Sequence, residues 1–417
     1  MTQCQKNNYY MSWLAFNRVC GGTLLVSGTC IGAGMLGLPI TTAAGGFYPA
    51  TGAFVLCWGL MTLTAFLMLE ISLCYPEQTN LITMAKATLG RFGELFAWVC
   101  YLLFLYSLMA AYTSGASGIL DSFLVNFDFP ATTGLWGFVV FFGFVVYLGA
   151  RWVDGVNRLV MIGLVLAYGG LIILVFPKVN LEMVNHGEPK YLWMAGPLLV
   201  TSFGFHLLIP SLKNYLHTRV NELRWSIFIG SLLPLLIYLC WEFMILGAVP
   251  VRGEKGLIAM NQVAQPVVVL TQTLSENLSH PSIRVFAKIF SFCAILTSFI
   301  GVSLGLFDFL ADGFHISKTK TGKGVLATLT FVPPALFAKY FPAGFLLALR
   351  YAGIFAAILL VLYPAVMVWR HRYHLKLSSE YQVFGGKPAL ILAIFFGVGM
   401  IGLEILQELH QLPVPTL

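Results

Sequence analysis

The stretch TCIGAGMLGLP (residues 29–39) lies inside an apolar run over about residues 22–44, which is long enough to cross a bilayer. Gly32, Gly34 and Pro39 stand near the middle of this run. Glycine in a helix interior costs about 0.5–1 kcal/mol relative to alanine, and an interior proline costs about 3 kcal/mol or more. The pattern therefore predicts a membrane-crossing helix that is interrupted near its midpoint.

The composition is that of a protein embedded in lipid. Of the 417 residues, 58% are hydrophobic and 10% are charged, whereas a soluble domain carries about 25% charged residues. Apolar stretches of bilayer-crossing length predict eleven membrane-spanning helices. The polar segment 1–21 lacks the pattern of a cleavable signal peptide and is predicted to be cytoplasmic. The eleven spans cover about residues 22–44, 49–74, 94–122, 133–150, 156–176, 192–212, 225–249, 284–312, 325–341, 343–369 and 388–408.

A second interrupted stretch, TSFGFHLLIP (residues 201–210), lies in the sixth predicted span. Like the first, it has a threonine, a glycine three residues later and a proline soon after. The first and sixth spans open two sets of five helices, and because five is odd the second set enters the membrane in the opposite orientation. Paired interruptions of this kind indicate an inverted-repeat secondary transporter. We predict repeats over residues 22–176 and 192–369, followed by an eleventh helix over 388–408.

The interruption in the first span predicts a binding site for a carboxylate. Unpaired backbone groups cost several kcal/mol each in lipid unless they line a cavity that binds something. The free N–H groups at the start of a half-helix suit an anion. We therefore predict that substrate contacts the segment formed by Gly32, Ala33, Gly34 and Met35, with its carboxylate on the amides of residues 32–34. The alternative is that Gly32 and Gly34 only permit close helix packing.

The other predicted substrate contacts lie on the third and sixth spans. Unwound carbonyls and the Ser202 hydroxyl can accept hydrogen bonds from a bound molecule, and phenylalanine rings offer apolar surface for packing. Most of the 34 phenylalanines are expected to be core or lipid-facing residues, so adjacency to the interruption is what distinguishes two of them. These predicted contacts are Tyr112, Ser202, Phe203, Gly204 and Phe205.

Two residues are candidates for carrying a proton. His206 lies deep in the sixth span beside the glycine of the interruption, and imidazole titrates near neutral pH. Asp308 is the second candidate, because it shares a helix face with Asp312 and repulsion between the two can leave one protonated. A satisfied core histidine and a wetted helix end are the respective alternatives.

A sodium site is the competing hypothesis for the coupling ion. Sodium is held by oxygen ligands, and the hydroxyls of Thr297 and Ser298 on the eighth span, with first-span oxygens near Ser27 and Gly28, could supply them. The same hydroxyls can equally tie two helices together. No carboxylate stands in the middle of either span, which favours a proton over sodium.

Six motifs are similar to those of the hydroxy/aromatic amino acid permease family, nearest to its tyrosine-specific and tryptophan-specific members. The resemblance runs from about residue 20 to 415, with one departure where His206 is followed by Leu-Leu. It implies eleven helices, a leucine-transporter type of inverted repeat, and proton-coupled uptake of an aromatic amino acid across a bacterial inner membrane. The motifs are GTCIGAGMLGLP (28–39), AAYTSGASGIL (110–120), TSFGFHLLIPSL (201–212), SFIGVSLGLFDFLAD (298–312), FPAGFLLALRYAG (341–353) and GGKPAL (385–390).

The basic residues predict the orientation. Lysine and arginine favour the cytoplasm, and with the N-terminus inside most of the 24 Lys and Arg residues fall in cytoplasmic segments. We therefore expect a cytoplasmic N-terminus and a periplasmic C-terminus. The run RHRYHLK (370–376) is expected to be an inner loop beside the bilayer and not a nucleic-acid patch.

Other function classes find little support in the chain. It has no HExxH, GxSxG or P-loop motif, and its eight cysteines have no CxxC spacing, so we predict neither an enzyme nor a metal or cofactor site. A sodium-coupled transporter of the same fold, a channel and a non-transporting amino acid sensor stay open as alternatives. The oligomeric state and the choice among tyrosine, tryptophan and phenylalanine stay open as well.

Overall fold

The computed structural model describes residues 3–76, 79–124, 129–130, 132–184, 187–376, 380–409, 411–413 and 415, with side chains from residue 16 onward. Over these ranges the chain is helical and contains no strand. The α-helices are α1 Gln3–Cys30, α2 Ala33–Thr42, α3 Phe47–Leu73, α4 Leu81–Leu124, α5 Thr133–Leu148, α6 Ala150–Val175, α7 Leu181–Val184, α8 Gly196–Ser202, α9 Ile209–Tyr215, α10 Val220–Leu246, α11 Leu257–Met260, α12 Pro266–Asn277, α13 Pro281–Gly313, α14 Lys320–Tyr340, α15 Gly344–Ala356, α16 Tyr363–Tyr373 and α17 Gly386–Glu408.

Each predicted span coincides with a helix or a pair of helices. In the described part of the chain, eight helical stretches are long and apolar enough to cross a membrane, and a ninth is the bent pair Phe16–Cys30 and Ala33–Gly45. Two predicted spans fall short of that test: α5 has 16 residues, and α14 carries three lysines and an internal Pro333-Pro334 pair. The chain is thus a multi-pass, all-helical membrane protein, and the count of eleven spans stays a prediction.

Both predicted interruptions are present. The first span breaks at Ile31 and Gly32, and its two halves meet at an angle of 54°. The sixth span breaks after Ser202, passes through non-helical residues 203–205 and a single 3₁₀ turn, His206–Leu208, and resumes as α9. Since Pro39 sits within α2 and Pro210 within the first turn of α9, neither proline forms the break itself.

The packing of the helices follows the order that an inverted repeat predicts. Helix α6, the fifth span, lies along α13, the eighth, while α4, the third, lies along α15, the tenth. If each span is replaced by the one five positions away, the fifth becomes the tenth and the eighth becomes the third. The first pair of contacting spans thus becomes the second pair. The same exchange relates the contact of α1 with α10 to that of α3 with α8 and α9. These contacts are consistent with the repeat, and both the inverted repeat and its boundaries at 22–176 and 192–369 stay predictions.

One buried ion pair ties the second span to the tenth. Arg372 on α16 donates from Nε and Nη2 to the two carboxylate oxygens of Glu70 on α3, at 2.6 and 2.5 Å. The backbone N–H of Val383 also donates to Glu70, at 2.8 Å. The Glu70 side chain is almost fully buried, so the pair fastens α3, α16 and the segment before α17 to one another at the predicted cytoplasmic end.

We expect Glu70→Ala to lower the free energy of unfolding by about 3–5 kcal/mol, because it leaves the Arg372 guanidinium buried without its partner. Thermal unfolding in detergent measures the loss. Glu94→Ala is the matched control: Glu94 pairs with Lys86 at the exposed start of α4, and an exposed pair contributes about 0.2–1 kcal/mol. Equal losses from the two variants would contradict a structural role for the Glu70–Arg372 pair.

Candidate functional site

The two breaks face each other across a close contact between α2 and α8. A Cβ atom added at Gly34, in the first turn of α2, would lie 2.6 Å from the Ser202 hydroxyl oxygen at the end of α8. The Ser202 hydroxyl itself donates to the Leu198 carbonyl of its own helix, 2.8 Å away. A side chain at position 34 would have to displace Ser202, so the packing role considered for this glycine is present in the structure.

The first break also contacts the eighth and third spans. A Cβ atom at Gly32 would lie 2.0 Å from the Ser298 hydroxyl oxygen on α13. Gly32 has an extended backbone, with φ −158°, which any residue can adopt. Glycine is therefore required here by the lack of space for a side chain and not by the backbone conformation. The Tyr112 side chain on α4 lies beside the same Ser298 side chain. The structure therefore brings Tyr112, Gly32 and Ser298 together.

A residue that the sequence did not single out holds both breaks at once. Tyr238, fully buried on α10, places its hydroxyl 2.6 Å from the carbonyl oxygen of Cys30 and 2.9 Å from that of Ser202. These are the last residues of α1 and α8. In an unbroken helix the two carbonyls would accept from the N–H groups of Gly34 and His206, four residues on. Tyr238 supplies a hydroxyl donor in their place.

The sequence signal for Tyr238 is weak: it is one of 17 tyrosines, and it stands inside an apolar span, where a tyrosine hydroxyl usually requires a hydrogen-bond partner. The sequence could not have named the partners, because they lie 208 and 36 residues away along the chain. The hydroxyl has one hydrogen and two acceptors within reach, so it is shared between the two helix ends. Carbonyls of this kind, at the unwound ends of the two spans, are acceptors that a substrate ammonium could use.

The start of α2 has the features of a helix N-terminus that can bind an anion. Gly32 stands at the cap position with no side-chain hydrogen bond among the described residues. The first backbone hydrogen bond of α2 runs from the Met35 N–H to the Gly32 carbonyl, 3.2 Å. The first N–H groups of a helix have no partner within the helix. A carboxylate on the amides of Gly32, Ala33 and Gly34 stays a prediction that this geometry permits.

The two phenylalanines of the second break point to different neighbours. The Phe203 ring packs on Tyr238, with centroids 5.3 Å apart, and the Phe205 ring packs on His206, with centroids 5.2 Å apart. Gly204, between them, faces the tenth span, where a Cβ atom would lie 3.1 Å from Leu360 Cδ1. Phe203 is therefore the ring that lies on the side where Tyr238 joins the breaks.

His206 is fully buried and has one free ring nitrogen. Its Nε2 lies 2.8 Å from the Thr64 hydroxyl, which donates to the Met61 carbonyl 3.0 Å away. Because the threonine hydrogen is used, Nε2–H is assigned as the donor and Nδ1 as the bare nitrogen. Nδ1 has no hydrogen-bond partner among the described residues.

A cavity of about 260 Å³ runs from His206 to the predicted cytoplasmic end of the bundle. Its far wall includes Asn80 at the start of α4, Asn214 on α9 and Asp312 at the end of α13. The outer half of the first span is tied down instead, since the Asn261 side-chain amide donates to the Ile40 carbonyl at 3.0 Å. In this structure the second break is therefore approached from one end of the bundle.

Asp308, the other proton candidate, lies away from the breaks. Its carboxylate accepts from Lys318 at 2.7 Å, and both side chains are about half-exposed. This solvated ion pair at a helix end agrees with the alternative to proton carriage that the sequence left open for Asp308. The structure thus places His206 beside a break and Asp308 at the rim.

The predicted sodium ligands do not turn toward one another. The hydroxyl of Ser27 donates to Thr23 and that of Thr297 to Ala294, each a carbonyl of its own helix. Gly28 faces Met161 on the fifth span. Of the four residues, Ser298 alone is placed against the break, through Gly32. Over the described residues, no three His, Cys, Asp or Glu side chains are grouped as a metal site would require.

Comparison with known proteins identifies the family. The model of the tryptophan/tyrosine permease family matches residues 16–404, which is nearly the whole chain. This chain belongs to that family. The permease is 34% identical to tyrosine-specific transport system 1 of Haemophilus influenzae, over 92% of this chain and 95% of the relative. It is 33% identical to the tryptophan-specific transport protein of Pseudomonas aeruginosa, over 94% and 95% of the two chains. The resemblance seen in the motifs is confirmed.

The fold of the permease is similar to that of solved membrane transporters. A crystal structure of the Eremococcus coleocola manganese transporter, in complex with an aromatic bis-isothiourea substituted compound, aligns with a TM-score of 0.65. The alignment covers 96% of this chain and 89% of the transporter, at 14% sequence identity. At that identity the likeness concerns the fold alone.

We expect Gly34→Ala to weaken binding of an aromatic amino acid at least about tenfold, because the new methyl group displaces Ser202 and crowds the first break. Binding is measured by isothermal titration in detergent. Gly59→Ala on α3 is the matched control, since a Cβ atom there meets nothing within 4 Å. The double variant Gly34→Ala, Ser202→Ala is compared with Ser202→Ala. Full recovery of binding in the double variant would make Gly34 a packing residue only.

We expect Tyr238→Phe to lower the free energy of unfolding by about 1–3 kcal/mol, because two buried carbonyls at helix ends lose their donor. Tyr168→Phe is the control, since the Tyr168 hydroxyl donates to the single carbonyl of Ile237 at 3.0 Å. Thermal unfolding of the purified proteins compares the two losses. A loss for Tyr238→Phe no larger than that for Tyr168→Phe would show that the bridge between the breaks is not a major constraint.

Proposed function

We propose that this permease is a secondary active transporter that imports an aromatic L-amino acid, tyrosine first and tryptophan next, as a proton symporter. The observation that carries the proposal is the facing pair of broken helices joined by the Tyr238 hydroxyl, in a chain of the tryptophan/tyrosine permease family. The printed names of its relatives, which are tyrosine-specific and tryptophan-specific transport proteins, favour these two substrates.

The substrate lies between the breaks in this proposal. Its carboxylate accepts from the amides of Gly32, Ala33 and Gly34 at the positive end of α2. Its ammonium donates to the carbonyls that Tyr238 contacts, so that it displaces the tyrosine hydroxyl. Its ring packs against Phe203, on the same side of the break. The short distances from both carbonyls to one hydroxyl support this arrangement, because a compact donor already fits there.

Transport proceeds by alternating access around that site. The cavity at the predicted cytoplasmic end and the tie from Asn261 to Ile40 at the other end fit an inward-facing arrangement. The proposal places the protein in a bacterial inner membrane, with the N-terminus in the cytoplasm and the C-terminus in the periplasm. The two repeats then rock against each other around the breaks.

His206 is the proposed proton carrier on the cytoplasmic side. Its unpaired Nδ1, its position directly after the second break and the cavity that it lines all support the assignment. A proton on Nδ1 would place a positive charge on the His206 ring, beside Phe205 and the end of the second break. Substrate bound at the break would change the environment of that charge, which links substrate binding to protonation. Release into the cavity would then deliver the proton to the cytoplasm.

The decisive experiment is uptake of labelled tyrosine into proteoliposomes that are alkaline inside, in sodium-free buffer. We expect the wild-type protein to accumulate tyrosine, because an inward proton gradient drives the substrate with it, and a protonophore to abolish the accumulation. Counterflow with tyrosine on the inside provides the control that the protein is active. Accumulation that requires a sodium gradient would contradict proton coupling, and ligand binding without any flux would favour the sensor.

The variant His206→Gln locates the carrier within that experiment. Glutamine keeps a donor for Thr64 but cannot be protonated near neutral pH, so counterflow is expected to persist while accumulation under the pH gradient is lost. If His206→Gln still concentrates tyrosine, proton coupling stands and His206 is not the carrier. Asp308→Asn is then the next variant to measure.

A further inference from the structure

The seventh span contains a buried carboxyl group that the proposed mechanism does not use. Glu242, one turn from the end of α10, is completely inaccessible to solvent. Its Oε1 contacts the hydroxyl of Thr42, the last residue of α2. Its Oε2 has no hydrogen-bond partner in the described part of the chain. A carboxylate buried in this way is costly unless it is paired or neutral.

The hydrogen bonds of Thr42 indicate which form of Glu242 is present. The Thr42 hydroxyl has one hydrogen and lies 2.7 Å from the Leu38 carbonyl, as well as against Glu242. An ionised Glu242 can only accept, so it would compete with Leu38 for that hydrogen. A neutral Glu242 donates its own proton to the threonine oxygen and leaves the hydroxyl hydrogen for Leu38. The neutral acid satisfies both contacts.

The charged side chains on the elements near Glu242 are exposed to solvent or bonded to other partners. Glu182 on α7 is exposed, and Lys178, after α6, donates to the Leu278 carbonyl. Glu188 lies at the outer surface, where a hydrogen bond from Lys190 holds the pKa of its carboxyl below the usual value, and Arg252 approaches the same carboxylate. The halves of α2 and α3 nearest Glu242 carry no ionisable residue in the described sequence, apart from the tyrosine Tyr48 and Cys57. No cation is therefore placed to pair with Glu242 in the described structure.

The surroundings of Thr42 connect this carboxyl to the outer surface. The next residues form the 3₁₀ turn Ala43–Gly45, and the Glu188 N–H donates to the Ala44 carbonyl at 2.8 Å. A cavity of about 500 Å³ lies at this turn and is lined by Ala44, Glu188 and Arg252 among others. The cavity thus reaches Ala44, two residues from Thr42.

We propose that Glu242 is a second proton-binding site of the permease, on the outer side, and that its protonation locks the outer half of the first span through Thr42. The inference rests on the proposed proton symport. The proton moves from water in the outer cavity to the carboxylate oxygen when the outer half is open. When the acid gives this proton back to water, the ionised carboxylate accepts the hydrogen bond that the Thr42 hydroxyl otherwise donates to the Leu38 carbonyl. The Thr42 side chain then no longer bonds to its own helix.

The variant Glu242→Gln tests the proposal in transport. The amide has the same shape and can still donate to Thr42, but it cannot lose a proton at neutral pH. We expect tyrosine counterflow to persist and accumulation under an inside-alkaline gradient to be lost. Glu182→Gln, on the exposed helix α7, is the matched control and is expected to accumulate tyrosine like the wild type. Wild-type accumulation by Glu242→Gln would overturn the proposal.

Infrared difference spectroscopy between acid and alkaline pH tests the site independently of transport. We expect the wild-type protein to show loss of a protonated-carboxyl C=O band on alkalinisation, Glu242→Gln to lack that change, and Thr42→Val to shift the band because the acid loses its acceptor. A band that is unchanged in both variants would overturn the proposal even if the variants transport poorly.

The two measurements also separate this proposal from the proposed function. If wild-type uptake proves to be driven by sodium alone, proton symport fails, and Glu242 as a coupling site fails with it. If the wild type is driven by protons and Glu242→Gln is too, proton symport stands and the assignment of Glu242 is wrong.

Discussion

The hydrogen bonding of the Tyr238 hydroxyl is the contact on which the centre of this permease depends. A helix that stops inside a membrane leaves carbonyl groups without donors, and each costs several kcal/mol if it stays unpaired in an apolar environment. Here two such helix ends, at Cys30 and Ser202, share one buried hydroxyl. Because that hydroxyl stands where the N–H groups of Gly34 and His206 would otherwise donate, the two breaks are stabilised together and kept in register.

Glycines at the breaks allow the spans to pack closely around them. Gly32 leaves room for the Ser298 side chain and Gly34 for the Ser202 side chain. The backbone of the first span therefore contacts side chains of the eighth and sixth spans directly. The packing and binding interpretations of these glycines are therefore not exclusive. Close approach is what brings the start of α2 within reach of anything held between the breaks, and the same closeness makes the site intolerant of added volume.

The amount that the sequence could predict differs between the fold and the site. Hydropathy and the paired Gly-and-Pro patterns predicted the helix positions and both breaks, because these follow from local composition. The positions of Tyr238 and Glu242 depend on α10 packing against α1 and α2, which no local pattern reports. Asp308 was a candidate proton carrier because of its spacing from Asp312, yet the turn after α13 brings Lys318 back to it. Burial and partners, which decide the role of an ionisable residue, are tertiary properties.

The ion pair between Glu70 and Arg372 has a mechanical consequence. At the same end of the bundle, Arg18 on α1 donates to Glu222 on α10 at 2.9 and 2.8 Å. The Glu70–Arg372 pair resists sliding of the second span along the tenth at this end. The Arg18–Glu222 pair does the same for the first and seventh spans. The cavity opens between other elements, with its mouth at the start of α4, α9 and the end of α13. Lys213 likewise holds α9 to carbonyls at the end of α3 and just after it. Among the described residues no ion pair crosses from the start of α4 to the end of α13, so this side of the cavity mouth is where two helices can separate without first breaking an ion pair.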